Sequence, residues 1–135
     1  MDRPKEIVNQ LLKEDAFSNW LGIEIIEVKK GYCKLKMTVR QEMANGFGIA
    51  HGGISYSLAD TCLAFAVNSN GKHSMSVDTS IAHTKSAKVG EVLTAESKEL
   101  SLSNRIALYS LIVRNEQGEN IAFFRGTYYI RTKEW

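Results

Sequence analysis

The stretch that most limits what this chain can become runs from Asn45 to Gly71, NGFGIAHGGISYSLADTCLAFAVNSNG. From Gly52 to about Asn68 it reads as one helix. Ile54, Leu58, Cys62 and Phe65 form a stripe along it, and Ala59, Leu63, Ala64, Ala66 and Val67 fill much of the remaining circumference. A helix apolar almost all round belongs inside a protein, so another layer has to surround it. One carboxylate, Asp60, stands near its middle. Burying an ionised carboxylate without partners costs on the order of several kcal/mol. No basic residue lies three or four positions away on the same helix to offset that cost.

The flanking sequence supplies the layer. Asp2 to Phe17 places Ile7, Val8, Leu11 and Leu12 at helical spacing, with Pro4 in the first turn, and predicts one short amphipathic helix. From Gly22 the period changes to two. IEIIEVKKGYCKLKMTV alternates around a Lys-Lys-Gly turn and predicts antiparallel strands over Ile23 to Val28 and Tyr32 to Val39. After the long helix, SNGK carries a strong turn signal. Strand-like runs then follow at Ser74 to His83, Glu91 to Ser101, Ile106 to Asn115 and Ile121 to Ile130, with NEQGEN marking the last turn. Strands joined by short turns favour one antiparallel sheet over parallel crossovers. The expected fold is α+β: a curled antiparallel sheet of about six strands around one long central helix, with a short N-terminal helix. A length of 135 residues leaves room for one ordinary domain, so residues 1–135 are read as a single unit.

Charge and cysteine usage remove several classes of function. The 17 basic and 15 acidic residues are spread along the chain, so no basic field argues for nucleic acid or a membrane surface. No segment reaches the ~20 apolar residues needed to span a bilayer. The charged start, MDRPKEIVNQLLKEDAF, lacks the apolar core of a signal peptide, and Cys33 and Cys62 lack CxxC spacing. A cytoplasmic location with buried, reduced thiols is expected. His73 and His83 show no metal-ligand spacing with each other, a cysteine or a carboxylate, so no metal is expected.

The helix opening carries the chemistry. Backbone N–H groups of a first helical turn have no intrahelical partner and favour negative charge. Glycines at 52 and 53 let a ligand approach that backbone, so the turn could hold a carbonyl oxygen as it becomes an oxyanion. A bare Gly-Gly also serves simply to make a tight loop. Asp60 lies nine residues after His51. That is about half a revolution round the helix and about 13 Å along it. One chain cannot aim both groups at the same carbonyl. If both serve one site, the carboxylate comes from a second chain whose helix runs antiparallel across a two-fold axis, giving two equivalent sites per dimer. Two readings remain open: Asp60 as a structural carboxylate bonded to backbone amides or to a basic side chain, and His51 as general base or as hydrogen-bond anchor of the loop.

These residues resemble the hotdog-fold acyl-CoA thioesterases of the phenylacetic-acid-degradation (PaaI) type. The resemblance runs from NWLGIEI near Trp20 to AFFRGTYYI near the end. Its most specific part is Asn45, then HGG at His51, Gly52 and Gly53, then SLADT carrying Asp60, followed by NSNG. It implies hydrolysis of an acyl-CoA, with an aromatic acyl group such as phenylacetyl favoured, to the free acid and CoA. It also implies homodimers with shared sites, paired into homotetramers, and no cofactor beyond the CoA of the substrate.

Within that resemblance the Gly52 N–H polarises the thioester carbonyl, with Asn45 as a second contact and His51 in support. Asp60 of the other subunit acts as general base on water or as nucleophile, and Ser76 orients the water. Gly53, Thr61, Lys85, Lys88 and Arg125 are the expected substrate contacts, with Arg105 as a further cation for the CoA phosphates. The pattern departs from the family at Ser86, where a proline is usual, and near His83 and Thr84, so the loop bordering the CoA tail is expected to differ. A hydratase or dehydratase on the same fold would pair a histidine with an acid. No histidine follows Asp60 on this helix and no glutamate lies on it. A non-catalytic acyl-CoA-binding domain would normally be joined to an effector segment, for which this length leaves little space.

Overall fold

The computed structural model describes residues 2–135. Two short helices open it, α1 (Arg3–Glu14) and α2 (Ala16–Leu21), followed by a hairpin of β1 (Glu24–Lys29) and β2 (Tyr32–Thr38). A single 3-10 turn, Gln41–Met43, leads toward the long helix α3 (Gly52–Asn68). Four strands complete the chain: β3 (Lys72–His83), β4 (Val92–Leu102), β5 (Ile106–Arg114) and β6 (Asn120–Glu134). The sheet order is β1-β2-β4-β5-β6-β3, with each neighbouring pair antiparallel. The sheet does not close, and β1 and β3 are its edges.

The core follows from the period-two pattern. Cys33, Leu35 and Met37 of β2, Leu93 and Ala95 of β4, and Ala107, Tyr109, Leu111 and Val113 of β5 are buried on the face toward α3. Helix α3 touches every strand from β2 to β6, and its Leu58, Ala59, Cys62, Leu63 and Ala66 are fully buried. Helix and sheet are packed tightly at Gly126 of β6. A Cβ there would meet the Tyr128 ring at 2.9 Å and Leu63 Cδ1 at 3.4 Å.

The N-terminal region differs from the single helix expected over Asp2 to Phe17. Asp2 caps α1 by accepting a hydrogen bond from the Lys5 N–H, and Pro4 sits in the first turn as anticipated. At Asp15 the backbone leaves helical geometry. The Asp15 N–H closes α1 on Leu12 O, while its carboxylate accepts from both the N–H and the hydroxyl of Ser18 and so starts α2. A short acidic side chain that bonds the next turn competes with helix continuation. Helix α2 then ends on Gly22, whose φ of 76° is the left-handed geometry that stops helices. Strand β6 also runs four residues past the expected Ile130, because its end pairs with the start of β3, Lys72 opposite Glu134. Among the described residues no helix is long and apolar enough to cross a membrane.

Candidate active site

The loop before α3 is held from several sides. Asn45 Oδ1 accepts from the Phe47 N–H at 2.9 Å and the Ile49 N–H at 3.4 Å, while the Ala50 N–H reaches Ala87 O at 2.8 Å. The side-chain amide oxygen of Asn45 is therefore used to shape the turn, and its Nδ2 group has no acceptor among the described residues. His51 is the N-cap of α3. Its Nδ1 accepts from the Gly53 N–H at 3.0 Å, which makes its ring the anchor of the helix start.

That cap occupies the Gly53 amide and leaves the Gly52 amide, first in the helix, without an acceptor among the described residues. Gly52 opens into a cavity of about 380 Å³ lined also by Asn45, Ser55, His83, Lys85 and Ser86. His83, at the end of β3, forms its near wall, with Nδ1 3.4 Å from Ser55 Oγ. The sequence placed His83 on a strand end and gave no sign that its ring would lie over Gly52, since the two meet only through sheet packing.

Asp60 faces elsewhere. It is half-buried in a second cavity of about 350 Å³, shared with Leu11, Asp15, Ser76, Tyr128 and Arg131. Its carboxylate accepts no hydrogen bond and pairs with no basic side chain among the described residues. Burial pushes its carboxyl above the ordinary aspartate value, and the charge of Asp15 pushes it further. The Tyr128 hydroxyl is likewise raised, by burial first and then by Asp60. Ser76 enters this cavity from β3, beside a bulge between Ser76 and Asp78 where the register with β6 shifts. Gly52 and Asp60 thus open into different cavities of the same chain.

The remaining expected contacts separate. Gly53 and His51 line a third cavity with Phe17, Met43 and Ser57. Lys85 borders the Gly52 cavity and pairs with Glu119 at 3.0 Å. Lys88 is exposed, and its backbone bridges to Ile49. Three of the expected contacts lie away from both the Gly52 and the Asp60 cavities. Thr61 lines no ligand cavity described above; it is buried, with its hydroxyl 3.1 Å from Ser18 Oγ, fastening α2 to α3. Arg125 points from β6 into a cavity of about 800 Å³ with Phe123, Ile112 and Arg114, on the sheet face away from α3. Arg105 donates to the carbonyl oxygens of Asn104 and Ile130. Strand alternation sends Arg125 outward because its neighbour Phe124 is buried inward. No cluster of three metal-ligating side chains occurs among the described residues.

A helix clasped by an antiparallel sheet, with a free amide at its start and an unpaired acid on its body, is the architecture of a thioester-processing fold. Residues 47–122 match the thioesterase superfamily, and the chain belongs to that family. It is 39% identical over 125 residues to a protein of Archaeoglobus fulgidus, covering 93% of this chain and 81% of that one. It is 34% identical over 116 residues to the acyl-coenzyme A thioesterase PaaI of Escherichia coli, covering 86% and 83%. The solved structure of the E. coli PaaI protein, from the phenylacetic acid degradation operon, superimposes with a TM-score of 0.95 at 30% identity, covering 98% of this chain and 96% of that one. The fold is the hotdog fold anticipated from the residues, with its six-stranded sheet open at both edges.

Proposed function

We propose that this protein is an acyl-CoA thioesterase whose sites are each shared by two copies of the chain. The observation that carries the reading is the separation on one chain of a free helix-start amide at Gly52 from an unpaired, raised carboxyl at Asp60. Eight residues of helix put them about 12 Å apart along the axis. An antiparallel second helix closes that gap twice over. Edge strand β3 supports such a pairing: its outer side has no strand neighbour, and Met75 and Val77 are 57% and 63% exposed there. Two copies joined along β3 would form one continuous sheet with the helices side by side, and two such dimers would make the homotetramer.

In this reading the thioester carbonyl oxygen accepts from the Gly52 N–H and from Asn45 Nδ2. Asp60 of the second copy takes a proton from water held with Ser76, and the water oxygen adds to the carbonyl carbon. The C=O electron pair moves to oxygen, where the Gly52 amide and the α3 dipole stabilise it. Collapse breaks the C–S bond, and the proton held on Asp60 goes to the departing CoA thiolate, releasing the free acid. Burial and the Asp15 charge make Asp60 a stronger base than an exposed aspartate. Likeness to the E. coli protein supports an aromatic acyl group such as phenylacetyl as substrate class. The buried free thiols of Cys33 and Cys62 are in keeping with a reducing cytoplasm.

Subunit mixing tests the reading. Gly52→Pro removes the amide hydrogen while suiting the first helical position, and the extended backbone of His51 (ψ 139°) accepts a following proline. Asp60→Asn removes the base. Each variant alone should be inactive on phenylacetyl-CoA. Refolded together in equal amounts, they should recover about a quarter of wild-type thiol release, since half the dimers are mixed and each mixed dimer keeps one intact site. No recovery from verified mixed dimers would place both groups in a single-chain site and overturn the proposal.

A further inference from the structure

We propose that His73 and Trp135 together form the end wall of the acyl pocket and set the longest acyl group the enzyme accepts. The inference rests on the thioesterase reading above, which puts the reacting carbon beside Asp60. The two cavities that a second copy would bring together there differ in their walls. The Gly52 cavity carries Lys85, Thr84 and Ser86 beside Ile49 and Ile121, whereas the Asp60 cavity, with Asp15 and Arg131 among its polar lining, has larger apolar walls in Leu11, Phe65, Met75 and the Tyr128 ring. The apolar half of the substrate belongs in the second.

From Asp60 that cavity follows α3 past Ala64 to Asn68, eight residues or about 12 Å. There it meets an anchored aromatic pair. The rings of His73 and Trp135 stack with centroids 3.8 Å apart and planes 16° apart. Trp135 Nε1 donates to Asn68 Oδ1 at 3.1 Å, and its backbone N–H donates to Gly71 O at 3.0 Å. Asn68 is itself fixed, donating to Ala64 O and Ser74 O and accepting from the Ser74 N–H. Since the buried polar atoms behind the stack are already satisfied, the wall is rigid and not a flap. Arylacetyl and medium-length acyl groups fit in front of it, and long fatty acyl groups do not.

The test compares kcat/KM for hexanoyl-, phenylacetyl-, decanoyl- and palmitoyl-CoA. In Trp135→Ala and in His73→Ala the palmitoyl-to-hexanoyl ratio should rise at least about tenfold, carried by KM for the longer chain. Trp135→Phe, which keeps a stacking ring, should stay near the unaltered ratio. Ala64→Phe fills the channel before the wall and should shift preference the other way, against decanoyl and phenylacetyl; it decides the matter if Trp135→Ala does not fold. Ratios that stay constant across the folded variants would overturn the wall while leaving the thioesterase activity standing. Absence of turnover by the unaltered protein would overturn the activity itself, and the wall with it.

Discussion

A Cβ placed on Gly52 would stand 3.1 Å from Nε2 of His83, closer than all but a few side-chain contacts. The glycine at the helix start is therefore held small by a ring from a different element, at the place where a carbonyl would come to rest. Gly52→Ala keeps the N–H but sets a methyl group where the carbonyl would rest, so kcat/KM should fall, by up to about the 10²–10³ that loss of one oxyanion donor costs. Stability should change by less than about 1 kcal/mol, because alanine's better helix propensity opposes the push on His83. Thermal melts beside thioester kinetics check both halves, and an active Gly52→Ala enzyme would contradict the assignment.

Asp60 predicts a pH signature. Its folded-state carboxyl titrates above the ordinary value, through burial first and the Asp15 charge second. The folded state thus favours the protonated form. The group's favourable contribution is fully present below its unfolded pKa and is lost as pH rises through the folded one. Asp60→Asn should therefore be more stable than the unaltered protein at neutral pH, with the difference vanishing in acid. Denaturation midpoints across pH measure this. In kinetics, the acidic limb of kcat/KM should lie above the usual aspartate range and move downward in Asp15→Asn. Asp60→Asn should itself reduce turnover by about 10²–10⁴.

Val77 sits at the bulge of the β3 edge, exposed and opposite no partner residue. A charge on a strand edge blocks pairing with another edge. Val77→Lys should give a folded monomer by light scattering, with thioester hydrolysis lost alongside dimerisation. A Val77→Lys dimer with full activity would remove β3 as the joining edge.

At Gly126 the sheet and α3 leave no room for a methyl group, since Tyr128 and Leu63 close on the site and Tyr128 is only 1% exposed. Gly126→Ala should destabilise by about 1–3 kcal/mol in urea denaturation, the usual cost of overpacking a core. An unchanged midpoint would mean that the helix can lift from the sheet.

Helix α3 was legible to the residue because glycines open it and an Asn-Gly turn follows it, both local signals. The strands were legible because half-buried strands alternate, as β5 does along its whole length, whereas the pairings of β2 with β4 and of β3 with β6 were not. The break at Asp15 was not legible either, because no glycine or proline marks it and the Ser18 bonds that favour the break compete with a longer helix. The last four residues of β6 are polar and owe their strand form to pairing with β3, some sixty residues away, which no local pattern reveals. For the site, the isolation of Asp60 could be read from missing neighbours on its helix. The fate of Thr61 could not, because its partner Ser18 lies 43 residues earlier. His83 and the His73–Trp135 stack were invisible for the same reason: tertiary packing brings their neighbours to them.

Asp15 ends one helix, begins the next and adds its negative field to the cavity of Asp60. Those duties are chemically inseparable, since one carboxylate performs all of them. The leading segment is thus more than a cover over apolar residues: any change that lets its elbow straighten also retunes the acidity of a group more than forty positions downstream. Relatives that bend this arm differently should work best at a different proton concentration, even with every residue of α3 unaltered.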